Sequence, residues 1–136
     1  KWSDDCESLL AALGTSGAAI SRAAAGVLFF EAKGSTVNYA GLFANSPLAA
    51  AAQSEFGNKT VHDYLGEHPE TKALAELNGN RVFLNSTHWG SYVWDDKVTV
   101  LHELIHNVTG HTDPDFGRIL KPNSGDFSSV LRDKCL

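Results

Sequence analysis

The sequence predicts a mostly helical α+β domain with a small sheet set beside one long helix. Three observations carry this. Val98, Leu101, Leu104, Ile105 and Val108 form an apolar stripe at helical spacing. Arg81 to Asn85, RVFLN, has the composition of a strand and follows the turn signal Asn78-Gly79-Asn80. Shorter helix patterns lie toward both ends of the chain. With 136 residues, the chain is the size of one domain spanning 1–136, long enough to bury a substantial core.

Taken in order, Asp4 to Leu13 reads as a short helix, with acids in its first turn, Leu9, Leu10 and Leu13 on one side, and Gly14 at its end. Ser16 to Ala25 is a second, alanine-rich helix. The apolar run Val27 to Ala32 lies between Gly26 and Gly34 and is either a buried strand or a helix end. Pro47 introduces a short helix over Leu48 to Ala52, and a further helix is expected over Glu70 to Leu77. After the strand at 81–85, the aromatic, glycine-hinged stretch Ser86 to Trp94 leads into the long helix, capped by Asp95 or Asp96 and ended by Gly110 in a left-handed turn. A turn at Pro122-Asn123-Ser124-Gly125 and a last helix from Asp126 to about Lys134 complete the pattern.

Composition narrows the partners. The formal net charge is −5 and the basic residues are scattered, which argues against a nucleic-acid groove or an anionic membrane surface. No apolar run has the length of a membrane span, and Lys1 to Asp5 lacks the features of a signal peptide. The absence of methionine suggests a processed or excised form. Cys6 and Cys135, near opposite ends, are expected to pair in an oxidising compartment, which makes the protein secreted or extracytoplasmic and, in the simplest case, a monomer. Sequons occur at Asn58, Asn85 and Asn107. The third follows His106 inside the long helix, where a glycan would not fit, so the sequons are read as unused and the source as bacterial.

The chemistry concentrates at His102-Glu103-Leu104-Ile105-His106. On a helix the two histidines lie one turn apart on one face, so both imidazoles can reach a single tetrahedral metal, while Glu103 can point at a water bound to it. Two histidines at this spacing can also be surface residues or satisfied core polars. The flanking apolar stripe and caps instead supply the helical setting that the metal reading requires. His62 and His68 have no such setting and read as surface residues, and Asp113, Asp115 and Asp126 do not follow a calcium-loop spacing. Trp89, Tyr92 and Trp94 are candidates to line an apolar cleft, and His88 or Tyr92 to donate to a reaction oxyanion.

In these residues the chain resembles the zincins, the zinc metallopeptidases defined by HExxH on an active-site helix; only this helix and the segment after it carry the likeness. Glu103 is the last glutamate, so the downstream glutamate ligand of the gluzincins is missing, and without methionine there is no metzincin Met-turn. Gly110-His111-Thr112-Asp113-Pro114-Asp115-Phe116-Gly117 is similar both to the aspzincin Gly/Asp/aromatic-Gly pattern and to HExxHxxGxxH/D, although Gly110 comes one residue late for the latter. The resemblance implies zinc held by His102, His106 and a third donor. Asp113, three residues beyond the glycine, is assigned ahead of His111, with Asp115 third. It further implies Glu103 as the base acting on a zinc-bound water, a protein or peptide substrate cut internally, and RVFLN as the edge on which that substrate lies extended. Two other functions fit the same residues: a dedicated toxin or self-processing protease cut from a larger protein, and a non-catalytic domain that zinc merely stabilises. The second needs four protein ligands and has no use for Glu103.

Overall fold

The computed structural model describes residues 2–90, 93–120 and 126–136, and the backbone alone at 93 and 94. The order of elements is α1 (Asp4–Ala12), α2 (Gly17–Gly26), β1 (Leu28–Glu31), α3 (Ala49–Phe56), α4 (Val61–Glu67), β2 (Ala73–Ala75), β3 (Arg81–Leu84), α5 (Val93–Thr109), α6 (Asp113–Leu120) and α7 (Phe127–Cys135). Short 3-10 turns lie at Tyr39–Phe43 and Ser86–His88. The class is α+β, as the sequence predicts.

Local chemistry starts most of the helices. Ser3 accepts from the Cys6 amide, Ser16 from Ala19, and Asp126 from Ser129, each occupying one of the amides that a helix start leaves unpaired. Thr60 and Asp63 form a reciprocal capping box ahead of α4. Gly17 opens α2 tightly against α1: its amide donates to Glu7 at 2.8 Å, and a Cβ there would collide with the Trp2 ring.

The sheet has the order β1-β3-β2, with β1 parallel and β2 antiparallel to β3. On one side of α5, the residues Leu101, Leu104 and Ile105 pack with Leu10 and Leu13 of the α1 region, Ile20 of α2, Phe116 of α6 and Leu131 of α7. The Cys6–Cys135 disulfide joins α1 to α7 through this cluster, with Cα atoms 4.7 Å apart. A second cluster joins Tyr39, Leu42, Val61, Leu65 and Phe83, filling the space between sheet, 3-10 turn and α4. Asn107 of α5 ties helix to sheet by donating to the carbonyls of Glu76 at 2.8 Å and Arg81 at 3.2 Å. Among the described residues, no helix is long and apolar enough to cross a membrane.

Several expectations need correction. Glu70 to Leu77 is not a helix: its centre is β2, with Leu74 opposite Phe83. The residues are good helix formers, yet pairing with β3 and contact of Leu74 with the aromatic cluster outweigh propensity. RVFLN is not an edge, because β3 lies between β1 and β2, so β2 is the outer strand on the α5 side. The helix expected over Leu48 to Ala52 runs from Ala49 to Phe56. α5 begins ahead of Asp95 and Asp96, which sit in its first turn; Asp96 accepts from Gly90 and pairs with Lys72 at 2.7 Å. The turn expected at 122–125 lies outside the described residues.

The buried sequon asparagines are committed to the fold. Asn85 and Asn107 are buried and donate to backbone carbonyls, Asn85 to Thr71 at 3.0 Å. A glycan on either would sacrifice those bonds.

Candidate metal centre

His102 and His106 project from one face of α5, and Asp113, the first residue of α6, reaches back over them. Asp113 Oδ1 lies 2.8 Å from His102 Nε2 and 2.9 Å from His106 Nε2, and the two imidazole nitrogens are 3.1 Å apart. The reversal that permits this occurs at Gly110, in the left-handed region at φ 71°. The Asn78 carboxamide packs where a Cβ on this glycine would stand.

α6 itself was not expected, although its signals are present. Thr112 and Asp115 make reciprocal side-chain to backbone bonds, a capping box with aspartate in place of glutamate, and Phe116, Ile119 and Leu120 follow at helical spacing. The cap fixes Asp113 at the start of the helix, aimed at the histidines.

The outer nitrogens of the histidines are engaged. His106 Nδ1 donates to the His111 carbonyl at 2.6 Å; since a carbonyl only accepts, the proton is on Nδ1 and the Nε2 lone pair faces inward. His102 Nδ1 lies 3.0 Å from Ser128 Oγ. Phe116 and Phe127 flank the rings, with Phe116 stacked on His106 at 4.7 Å. Such outer partners set the tautomer and orientation that a metal-binding imidazole needs. His111 thus contributes through its backbone, while its ring lies 3.7 Å from Asp115.

Electrostatics follow from this packing. Burial pushes the Glu103 carboxyl up, with the neighbouring imidazoles of His102 and His106 opposing it. The packing of protein around its largely exposed carboxylate would raise Asp113 too, but its bonds to both histidines hold it well below the carboxylate range. Burial would lower His106, and the Asp113 bond, with the charges of Glu103 and Asp113, raises it instead.

The donor set fits zinc. Two nitrogens and one carboxylate oxygen are common zinc ligands, and a tetrahedral ion about 2.0–2.1 Å from each would space them by roughly 3.3 Å, a few tenths wider than here. Among the described residues, these three have ligand atoms within 4.8 Å of one another, close enough that one metal ion could be held between them. The Asp113 side chain is 69% exposed, so the group opens to solvent.

A cavity of about 240 Å³ adjoins it, with Glu103, His106 and Asp113 in one wall and Tyr39, Tyr64 and Leu74 in the others. Burial, with the Tyr64 hydroxyl beside it, pushes the Tyr39 phenol well above its ordinary value. Neither tyrosine has a spacing relation to HExxH, so nothing in the sequence ties them to this site. The aromatic residues singled out instead lie elsewhere. His88 Nε2 is 2.7 Å from the Pro69 carbonyl and lines a different cleft, and Trp89 donates to Lys72. Tyr92 and the side chain of Trp94 lie outside the described residues. His62 accepts from Gly34, and His68 stacks on Tyr64. Asp115 and Asp126 are spent on helix caps.

In comparisons with known proteins, no family model, no curated protein and no solved structure matches the chain.

Proposed function

We propose that the protein is a zinc-dependent endopeptidase of zincin type, acting on protein or peptide substrates outside the cytoplasm. The observation that carries the reading is the convergence of His102 Nε2, His106 Nε2 and Asp113 Oδ1 within hydrogen-bonding distance, with Glu103 buried next to them. His102, His106 and Asp113 would hold the ion. Bound zinc supplies Lewis acidity, which makes water acidic near neutral pH and polarises a carbonyl. Glu103 takes the proton of the attacking water and passes it to the leaving amine, and the low dielectric around this carboxylate suits it to shuttle a proton in both directions. Ser128 and the His111 carbonyl hold the two imidazoles in register. The zincin resemblance lays the substrate along an edge strand beside the metal helix, and β2, whose residues line the cavity, takes that role in place of RVFLN. A three-donor group with an exposed aspartate supports a catalytic site over a closed, purely structural one. The disulfide supports an oxidising location.

The test is Glu103→Gln. Zinc content should stay at one ion per chain while hydrolysis of unfolded casein or library peptides falls by about 10²–10⁴-fold. Turnover near that of the unsubstituted protein would overturn the mechanism.

A further inference from the structure

We infer that the cavity beside the metal group is a specificity pocket that receives one aromatic or large aliphatic substrate side chain, from the residue next to the scissile bond. The inference rests on the peptidase reading, but its walls do not come from the zincin likeness. Tyr39, Phe43, Tyr64 and Leu74 all precede the metal helix and belong to the 3-10 turn, α4 and β2.

Three properties define the occupant. The first is size: at about 240 Å³ the cavity is smaller than the roughly 300–1,000 Å³ clefts that enclose whole small molecules, and suits a single large side chain. The second is polarity. Among the described residues no lysine or arginine lines it, and its acids, Glu103 and Asp113, belong to the metal group. A charged side chain entering would lose water without gaining a partner, whereas an apolar one gains contact with rings and leucines. The third is rigidity. Tyr39 stacks on Tyr64 at 3.9 Å and meets Phe43 and Phe56 edge-on at 5.4 and 4.7 Å, so the aromatic wall is braced before anything binds. The small Ala73 and Ala75 of β2 border the same space. Because Glu103 and His106 share this wall, a peptide bond poised at the metal group has its neighbouring side chain at the cavity mouth.

The experiment incubates the zinc-loaded 136-residue chain with a mixed-sequence peptide library and reads the cut sites by mass spectrometry. Phe, Tyr and Leu should dominate one position flanking the cut, with kcat/KM about 10–200-fold above Ala at that position. A second readout needs no turnover: in the metal-free protein, N-acetyl-phenylalaninamide should shift the ring NMR signals of Tyr39 and Tyr64, and N-acetyl-alaninamide should not. Leu74→Trp, which fills the cavity, should move the preference toward Ala and Gly; if it fails to fold, the cleavage profile and the ring shifts of the unsubstituted protein decide alone. Cleavage indifferent to side-chain size, or favouring charged residues, overturns the inference and leaves the peptidase reading standing. No cleavage of any library peptide by chain carrying one zinc ion overturns the peptidase reading and this inference with it.

Discussion

The two sides of α5 are built from different materials. Behind it, the cluster with α1, α2 and α7 is mainly aliphatic and closed by a disulfide. On the sheet side, the packing is aromatic and surrounds open space: Tyr39, Phe43, Phe56 and Tyr64 brace one another edge-on or stacked, and a cavity remains between them and the helix. Branched aliphatic side chains interdigitate until little volume is left, while stacked rings form flat walls. One side of α5 therefore anchors it, and the other leaves room for a ligand.

Substitutions can set this contrast to the test. The largest effect is expected at the open side, where Asp113→Ala should weaken zinc binding by roughly a hundredfold or more, while His111→Ala, which keeps the carbonyl that accepts from His106, should retain the metal. Zinc titration of the two variants compares them directly, and the reverse ranking would transfer the ligand role to His111. On the anchored side, Cys6→Ser with Cys135→Ser should cost about 2–5 kcal/mol of stability in urea unfolding yet leave zinc stoichiometry unchanged. Parallel loss of zinc from the folded variant would show that the two sides are not separable.

Gly110→Ala probes the junction between the sides. It forces a Cβ into a left-handed position occupied by the Asn78 carboxamide and should cost about 1–3 kcal/mol, with weakened zinc binding because Asp113 shifts. Unchanged stability and affinity would mean that the turn relaxes freely. The smallest effect concerns Glu76. Its burial would raise the carboxyl, but the bond and charge of Arg81 at 3.0 Å lower it below 4.5. A carboxyl depressed in the folded state stabilises above its unfolded pKa and loses that contribution as pH falls through the folded value. Glu76→Gln should therefore flatten the decline of stability below about pH 4.5, read from urea midpoints at successive pH values; an unaltered slope would assign the acid sensitivity elsewhere.

The features legible in the sequence were those that local rules determine. α5 announces itself by its apolar stripe and terminal glycine, α1 by its first-turn acids, its leucines and Gly14, and HExxH by a spacing that has meaning only on a helix. β2 is hidden in the sequence because Ala73-Leu74-Ala75 favours a helix in isolation and becomes a strand only through β3, which comes later in the chain. α6 is legible in the Thr112–Asp115 cap, but the ligand role expected of Asp113 obscures its place at a helix start. Tyr39 and Tyr64 could not be reached at all. Their place beside Glu103 depends on how the turn at Tyr39–Phe43 docks on α4, where the Tyr39 amide donates to Lys59 and the Val61 amide to Val37, and no periodicity records that.

The bond between Cys6 and Cys135 turns residues 6–135 into a covalent ring with a sequence separation of 129 between its joined members. Tension applied to the two ends is borne by sulfur and never reaches α5 or the sheet. A machine that threads polypeptides through a narrow channel from one end would have to accept two strands abreast, or wait for reduction. The fold is thus shielded from mechanical extraction by a route separate from its thermodynamic stability, and an oxidised molecule should resist an end-pulling unfoldase or an optical trap until a reductant is added.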